Sequence, residues 1–107
     1  MAGPTPGALD RAMRIAEELR KHIPVTAVVL FGSHLTGNTH EGSDLDVAVY
    51  TPVARQMTLR ERVKLSLAVG HELGTDIELH FFDDHLAGGK DLRYFGSYVY
   101  EHGLRVA

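Results

Sequence analysis

The sequence predicts one small α/β (α+β) domain: a small mixed β-sheet flanked by helices. Three observations carry that expectation. The chain has 107 residues, enough for one useful core and too few for two. Apolar residues at three- and four-residue steps mark helices, and they alternate along the chain with short apolar or alternating runs that mark strands. Hydrophobic residues make up 44% and charged residues 23%, the balance of a folded soluble protein rather than a disordered one.

The elements follow in order. Residues Met1 to Gly7 carry Pro and Gly and read as a flexible tail, leaving 8–107 as a single domain. From about Ala8 to Ile23, Leu9, Ala12, Met13, Ala16, Leu19 and Ile23 recur with helical spacing, and Pro24 stops the helix. Val25 to Phe31 is a nearly continuous valine-rich run, expected as a buried strand. Gly32 to Ser43 is polar and punctuated by Gly32, Gly37 and Gly42, a turn and loop. Asp44 to Tyr50 alternates: Leu45, Val47 and Val49 point one way, Asp44, Asp46, Ala48 and Tyr50 the other, and Pro52 ends the strand.

Thr58 and Glu61 have capping-box spacing ahead of a helix from Leu59 to about Leu73, with Gly74 as its stop. Asp76 to Phe82 is a third strand, with Ile77, Leu79 and Phe81 on one face and Asp76, Glu78, His80 and Phe82 on the other. Asp83 and Asp84 read as a helix cap. A helix from about Leu92 to Glu101 and a short strand from Leu104 to Val106 complete the order. The helix carries Tyr94, Phe95, Tyr98 and Tyr100 on more than one face, so these aromatics are expected mostly in the core, with a share left for a partner surface.

Bulk properties exclude several classes. The absence of cysteine removes disulfide scaffolds and thiolate chemistry. No apolar run approaches the ~20 residues of a membrane span, and the N-terminus lacks a signal-peptide core, so a cytoplasmic location is expected. A net charge of −3 argues against a general nucleic-acid surface, while leaving room for a polyanion held through a cation.

The chemistry concentrates in two segments. Asp44 and Asp46 leave one strand on the same side, roughly 6–7 Å apart. Two such carboxylates repel unless a positive charge sits between them, and hard divalent cations with oxygen ligands resolve the conflict. A third acid on a neighbouring strand, Glu78 or Asp76, completes a cluster able to hold two Mg²⁺ ions, a recurring device of phosphoryl-type transfer. Gly32-Ser33 follows a buried strand. Glycine permits close backbone approach to a phosphate, and the serine hydroxyl adds a donor.

Other patterns carry less. The seven histidines show no zinc-ligand pair; His71-Glu72 lacks a second histidine four residues on. His80 shares a face with Glu78 and could sit beside the metals, although a structural or solvent-exposed histidine is the favoured reading. Gly37 and Gly42 have phosphate-loop spacing, but Ser43 stands where the lysine belongs. Val47 and Ala48 exclude a calcium loop at Asp44.

Gly32-Ser33, ten residues, then Asp44-Leu45-Asp46 resembles the Gly-Ser/Asp-x-Asp pattern of the polymerase-β-like nucleotidyltransferase superfamily. Phe31 to Val49 is similar to its minimal nucleotidyltransferase (MNT) family in particular, as are Glu72-Leu73-Gly74 leading into Ile77-Glu78-Leu79 and the ending from Tyr100 to Val106. That resemblance implies the polymerase-β-like fold and places Glu78, not Asp76, as third carboxylate. It further implies that Asp44, Asp46 and Glu78 are catalytic and bind two Mg²⁺, that Gly32 and Ser33 hold the triphosphate, and that ATP is the substrate. AMP is then transferred to an acceptor with loss of pyrophosphate.

Two departures stand out. Glutamate replaces the family's usual aspartate at the third position. His34 and Thr36 occupy a loop that often carries arginines, so a basic contribution to triphosphate binding is missing or supplied elsewhere, for instance by a partner. Because the chain ends soon after the catalytic unit, the resemblance implies a separately encoded helical partner of the HEPN type. In such a toxin–antitoxin pair the small transferase adenylylates its partner. The alternatives are a non-catalytic antitoxin or binding subunit and an ATP–Mg²⁺ sensor, and homo-oligomers are left open.

Overall fold

In a computed structural model the described residues are 6–31, 45–74, 77–88 and 91–107. They form helix α1 (Pro6–Arg20), strands β1 (Ala27–Phe31) and β2 (Leu45–Thr51), helix α2 (Leu59–Leu73), strand β3 (Ile77–Asp83), helix α3 (Phe95–His102) and strand β4 (Leu104–Arg105). Single 3₁₀ turns precede α2 (Ala54–Gln56) and follow β3 (Asp84–Leu86). The sheet order is β3-β2-β1-β4, with β2 parallel to β3 and β1 antiparallel to both β2 and β4. The expected mixed sheet flanked by helices is therefore present, the α+β arrangement that the family resemblance implies.

Both faces of the sheet are covered. On one, Val28, Leu30, Val47, Val49 and Phe81 pack against Ile15, Ala16 and Leu19 of α1 and Val69 of α2. On the other, Ala27, Val29, Ala48 and Tyr50 pack against Val99 of α3. The alternation of β2 thus separates two apolar layers, not an apolar face from a wet one, because α3 closes over Ala48 and Tyr50. Tyr50 is fully buried, and its hydroxyl donates to the Gly96 carbonyl at the start of α3. A side chain at position 96 would collide with Leu86 and Phe82, at 2.8 and 2.9 Å from a β-carbon placed there. Glycine lets α3 lie close on the sheet.

Element ends differ from the sequence expectation for local reasons. Helix α1 starts two residues earlier, at Pro6, and ends at Arg20 rather than Ile23. There the amides of Lys21 and His22 turn to carbonyls three residues back, tightening the chain ahead of Pro24. Ile15 rather than Met13 carries its buried stripe; Met13 is half exposed. Helix α3 starts at Phe95 because Asp91 first draws the Arg93 amide to its carboxylate in a side-chain turn. The capping box of α2 forms as spaced: the Glu61 amide donates to the Thr58 hydroxyl at 3.1 Å, and the Thr58 amide to the Glu61 carboxylate at 3.0 Å. Gly74 closes α2 in the left-handed conformation, φ 64°. Asp83 caps the 3₁₀ turn after β3 by accepting from the His85 amide. Among the described residues no helix is long and apolar enough to cross a membrane.

A candidate cation site at the open end of the sheet

Strand register builds the site. Parallel pairing sets Asp46 of β2 beside Glu78 of β3, and antiparallel pairing sets Asp46 beside Phe31 of β1. With side chains alternating, Asp46, Ala48 and Tyr50 share the α3 face with Glu78, His80 and Phe82. Ala48 is the register partner of His80, and its small side chain leaves the imidazole room to lean toward Asp46.

Asp46, Glu78 and His80 each offer a donor atom, and the three atoms lie within 4.8 Å of one another. His80 Nε2 is 3.7 Å from Asp46 Oδ1 and 3.8 Å from Glu78 Oε1. That nitrogen is buried and has no hydrogen-bond partner among the described residues. The side chain of Asp46 is 27% exposed, His80 31% and Glu78 58%, so the cluster opens to solvent on the Glu78 side.

Aromatic rings hold the floor of this face. Phe31 meets His80 edge-to-face with centroids 5.2 Å apart, and Phe95 of α3 meets both Phe31 (6.1 Å) and Phe82 (5.9 Å). Tyr50 continues the layer, 5.4 Å from Phe82 and 5.5 Å from Tyr100. Such contacts fix ring orientation. Tyr94, Phe95 and Tyr98 are nevertheless half exposed or more, so only part of the α3 aromatic set is core.

An open groove of about 480 Å³ along the free edge of β3 reaches the cluster, with Glu78, His80 and Phe95 on one side and Leu59, Val63 and Leu67 of α2 on the other. A roomier groove of about 590 Å³ near Ile23, Met57 and Leu65 contains neither Asp46 nor Glu78.

Of the residues singled out from sequence, Asp46 and Glu78 are brought together. Gly32, Ser33 and Asp44 lie outside the described residues, as does Asp76, the other candidate for third acid. His80, for which sequence favoured a structural or solvent-exposed role over a place beside the metals, joins the acids. The sequence signal for it was its parity with Glu78; its pairing with the small Ala48 emerges only with the parallel register.

The donor set fits a divalent cation. Two carboxylates supply hard oxygen ligands and the imidazole a nitrogen, and donors at neighbouring positions around such an ion lie ~3 Å apart. Side-chain shifts of ~1–2 Å would bring the separations of 3.7 Å, 3.8 Å and, between the carboxylates, up to 4.8 Å to that spacing.

Comparison with known proteins adds family and fold. The family model described as a nucleotidyltransferase domain matches residues 12–88. No curated protein matches the sequence significantly. Among solved structures, a toxin–antitoxin with AMP-PNP superposes with a TM-score of 0.65 at 24% identity, over 88% of this chain and 70% of that one. A mutant of the toxin–antitoxin MntA-HpeT gives 0.61 at 21% identity, over 88% and 70%. A candidate nucleotidyltransferase from Sulfolobus solfataricus gives 0.56 at 22% identity, over 74% and 69%.

Proposed function

This chain belongs to the nucleotidyltransferase domain family, and from that premise we propose that it transfers AMP from ATP to an acceptor hydroxyl on a partner protein. The observation that carries the reading is the pairing of Asp46 with Glu78 across adjacent parallel strands, with their donor atoms in one cluster. Structural likeness to a toxin–antitoxin with AMP-PNP and to MntA-HpeT supports a nucleotide substrate and a separately encoded partner, for which a helical HEPN-type protein is our candidate.

In this reading Asp46 and Glu78, together with Asp44, hold divalent cations, with Mg²⁺ the family expectation. Bound there, such cations would supply charge neutralisation for the triphosphate and the attacking oxygen. Gly32 and Ser33 donate to the β- and γ-phosphates. Glu78, the most exposed of the three clustered side chains, faces the groove and accepts the proton of the acceptor hydroxyl. That oxygen attacks the α-phosphorus in line, and pyrophosphate leaves. Positioning and electrostatics account for the rate enhancement, and no covalent enzyme intermediate is required.

Label transfer tests the proposal. ATP labelled on its α-phosphate is incubated with the chain, a divalent cation and lysate of the source organism, with γ-labelled ATP and the Asp44→Asn/Asp46→Asn double variant in parallel. One protein should take up the α-label alone, and only with the unaltered chain. Failure to transfer, while both forms still pull down the same partner, would favour a non-catalytic binding subunit.

A further inference from the structure

His80 has a geometry that a structural histidine does not explain. Histidine beside a carboxylate normally makes a hydrogen bond, as His85 does to Asp83 at 2.6 Å. His80 instead points Nε2 at two carboxylates, 3.7 and 3.8 Å away, too far to bond either. The nitrogen is buried with no partner among the described residues, an arrangement that costs free energy unless something else satisfies it. The nitrogen is nearly equidistant from Asp46 and Glu78, and the three donor atoms lie within 4.8 Å of one another, close enough to share one cation. Phe31 packs against the ring and holds that direction.

A cation at this point meets one nitrogen and two oxygens. Mg²⁺ is hard, prefers oxygen and gives up water reluctantly, whereas first-row transition-metal dications accept imidazole beside carboxylates. We propose that His80 Nε2 is a third side-chain ligand of the cation held by Asp46 and Glu78, making the site selective for a first-row transition-metal dication over Mg²⁺. This rests on the cation site of the proposed function and assigns its metal preference.

The test uses Mn²⁺ alone as the probe, then Mn²⁺ with a non-hydrolysable ATP analogue, on the full chain. Loss of the free Mn²⁺ resonance on titration gives affinity, competition with Mg²⁺ gives selectivity, and electron spin-echo modulation reports nitrogen bound to the metal. The unaltered chain should show imidazole ¹⁴N modulation that changes on [¹⁵N]histidine labelling, and should prefer Mn²⁺ to Mg²⁺ by about tenfold or more. His80→Phe keeps a ring against Phe31. It should lose the modulation and weaken Mn²⁺ about tenfold or more, at least the effect of losing an outer-shell partner, while Mg²⁺ binding stays within about twofold.

Absence of imidazole modulation in the unaltered chain, with and without the nucleotide analogue, overturns the assignment however the variants fold. If Asp46→Asn and Glu78→Gln lose Mn²⁺ while His80→Phe holds it within about twofold, His80 is no ligand and the cation site stands. Mn²⁺ binding indifferent to all three substitutions would remove the cation site as well.

Discussion

Asp46→Asn should invert the order of thermal stability between metal-free and metal-loaded protein. The Asp46 and Glu78 donor atoms are at most 4.8 Å apart. At that separation two negative charges repel by about 0.9 kcal/mol in a water-like dielectric and about 3.5 kcal/mol at an effective value of 20. Glu78 is 58% exposed, which places the cost near the lower figure, ~1 kcal/mol. Asparagine keeps the shape and removes the repulsion, so without metal the variant gains that amount. For 107 residues the entropy of unfolding is ~0.22 kcal/mol/K, which converts the gain to a melting temperature ~4 °C higher. At a hundredfold excess over Kd a bound cation stabilises the unaltered chain by ~2.7 kcal/mol, or ~12 °C, and the variant loses most of that. Metal-loaded, the variant should therefore melt ~8 °C below the unaltered chain. Scanning calorimetry of chelator-treated samples at pH 8.5, where free imidazole is neutral, with and without saturating Mn²⁺, reads both differences. Curves that keep the same order in both conditions would refute the reasoning. Equal metal-induced gains in both proteins would show that Asp46 is not a ligand.

Two further predictions concern the scaffold. Tyr50→Phe removes the hydroxyl that donates to the Gly96 carbonyl, so it should cost ~0.5–1.5 kcal/mol, or roughly 2–7 °C in calorimetry. Burial, reinforced by Tyr100, raises the Tyr50 pKa, so above about pH 10 the unfolded chain releases this proton while the native chain keeps it. Native stability should then fall by up to ~1.4 kcal/mol per pH unit above that point; Tyr50→Phe should flatten the fall, and parallel urea midpoints between pH 9 and 11 would contradict this. Thr58→Ala breaks the capping box of α2 and should cost ~0.5–2 kcal/mol in urea unfolding, leaving Mn²⁺ affinity unchanged because the box lies outside the cation cluster.

What the sequence made legible was what local rules govern. Thr58, Glu61 and Gly74 bound α2 where their spacing put them, because caps act within one turn. Parity along β2 and β3 placed Asp46 and Glu78 on one face, because side-chain direction in a strand has a fixed period. Other features depend on what packs later in the chain. Nothing near Tyr50 announces that α3 covers it, so the α3 face of β2 read as acidic when two of its residues, Ala48 and Tyr50, are core. The early start expected for α3 failed because Asp91 offers the Arg93 amide a closer partner than a helix would. His80 needed the parallel β2–β3 register to be recognised, since only that pairing sets it across from Ala48 and beside Asp46.

That register ties the site to the core. Val47 and Val49 are buried on one face of β2 and Ala48 and Tyr50 on the other, and all four are inaccessible to solvent. A slip of one residue would send Asp46 toward α1 and α2 and would exchange Tyr50 with smaller residues in two closely packed layers. Both changes are costly: one desolvates a carboxylate, the other forces a phenol ring into space shaped for valine. The residues that make the slip unfavourable bind nothing themselves, yet they fix where Asp46 meets Glu78. Tyr50 has a further part, because its hydroxyl anchors Gly96 and so seats Phe95 against Phe31, the ring that packs on His80. Folding thus gathers the three donors within 4.8 Å of one another, which lowers the ordering cost of the proposed cation site.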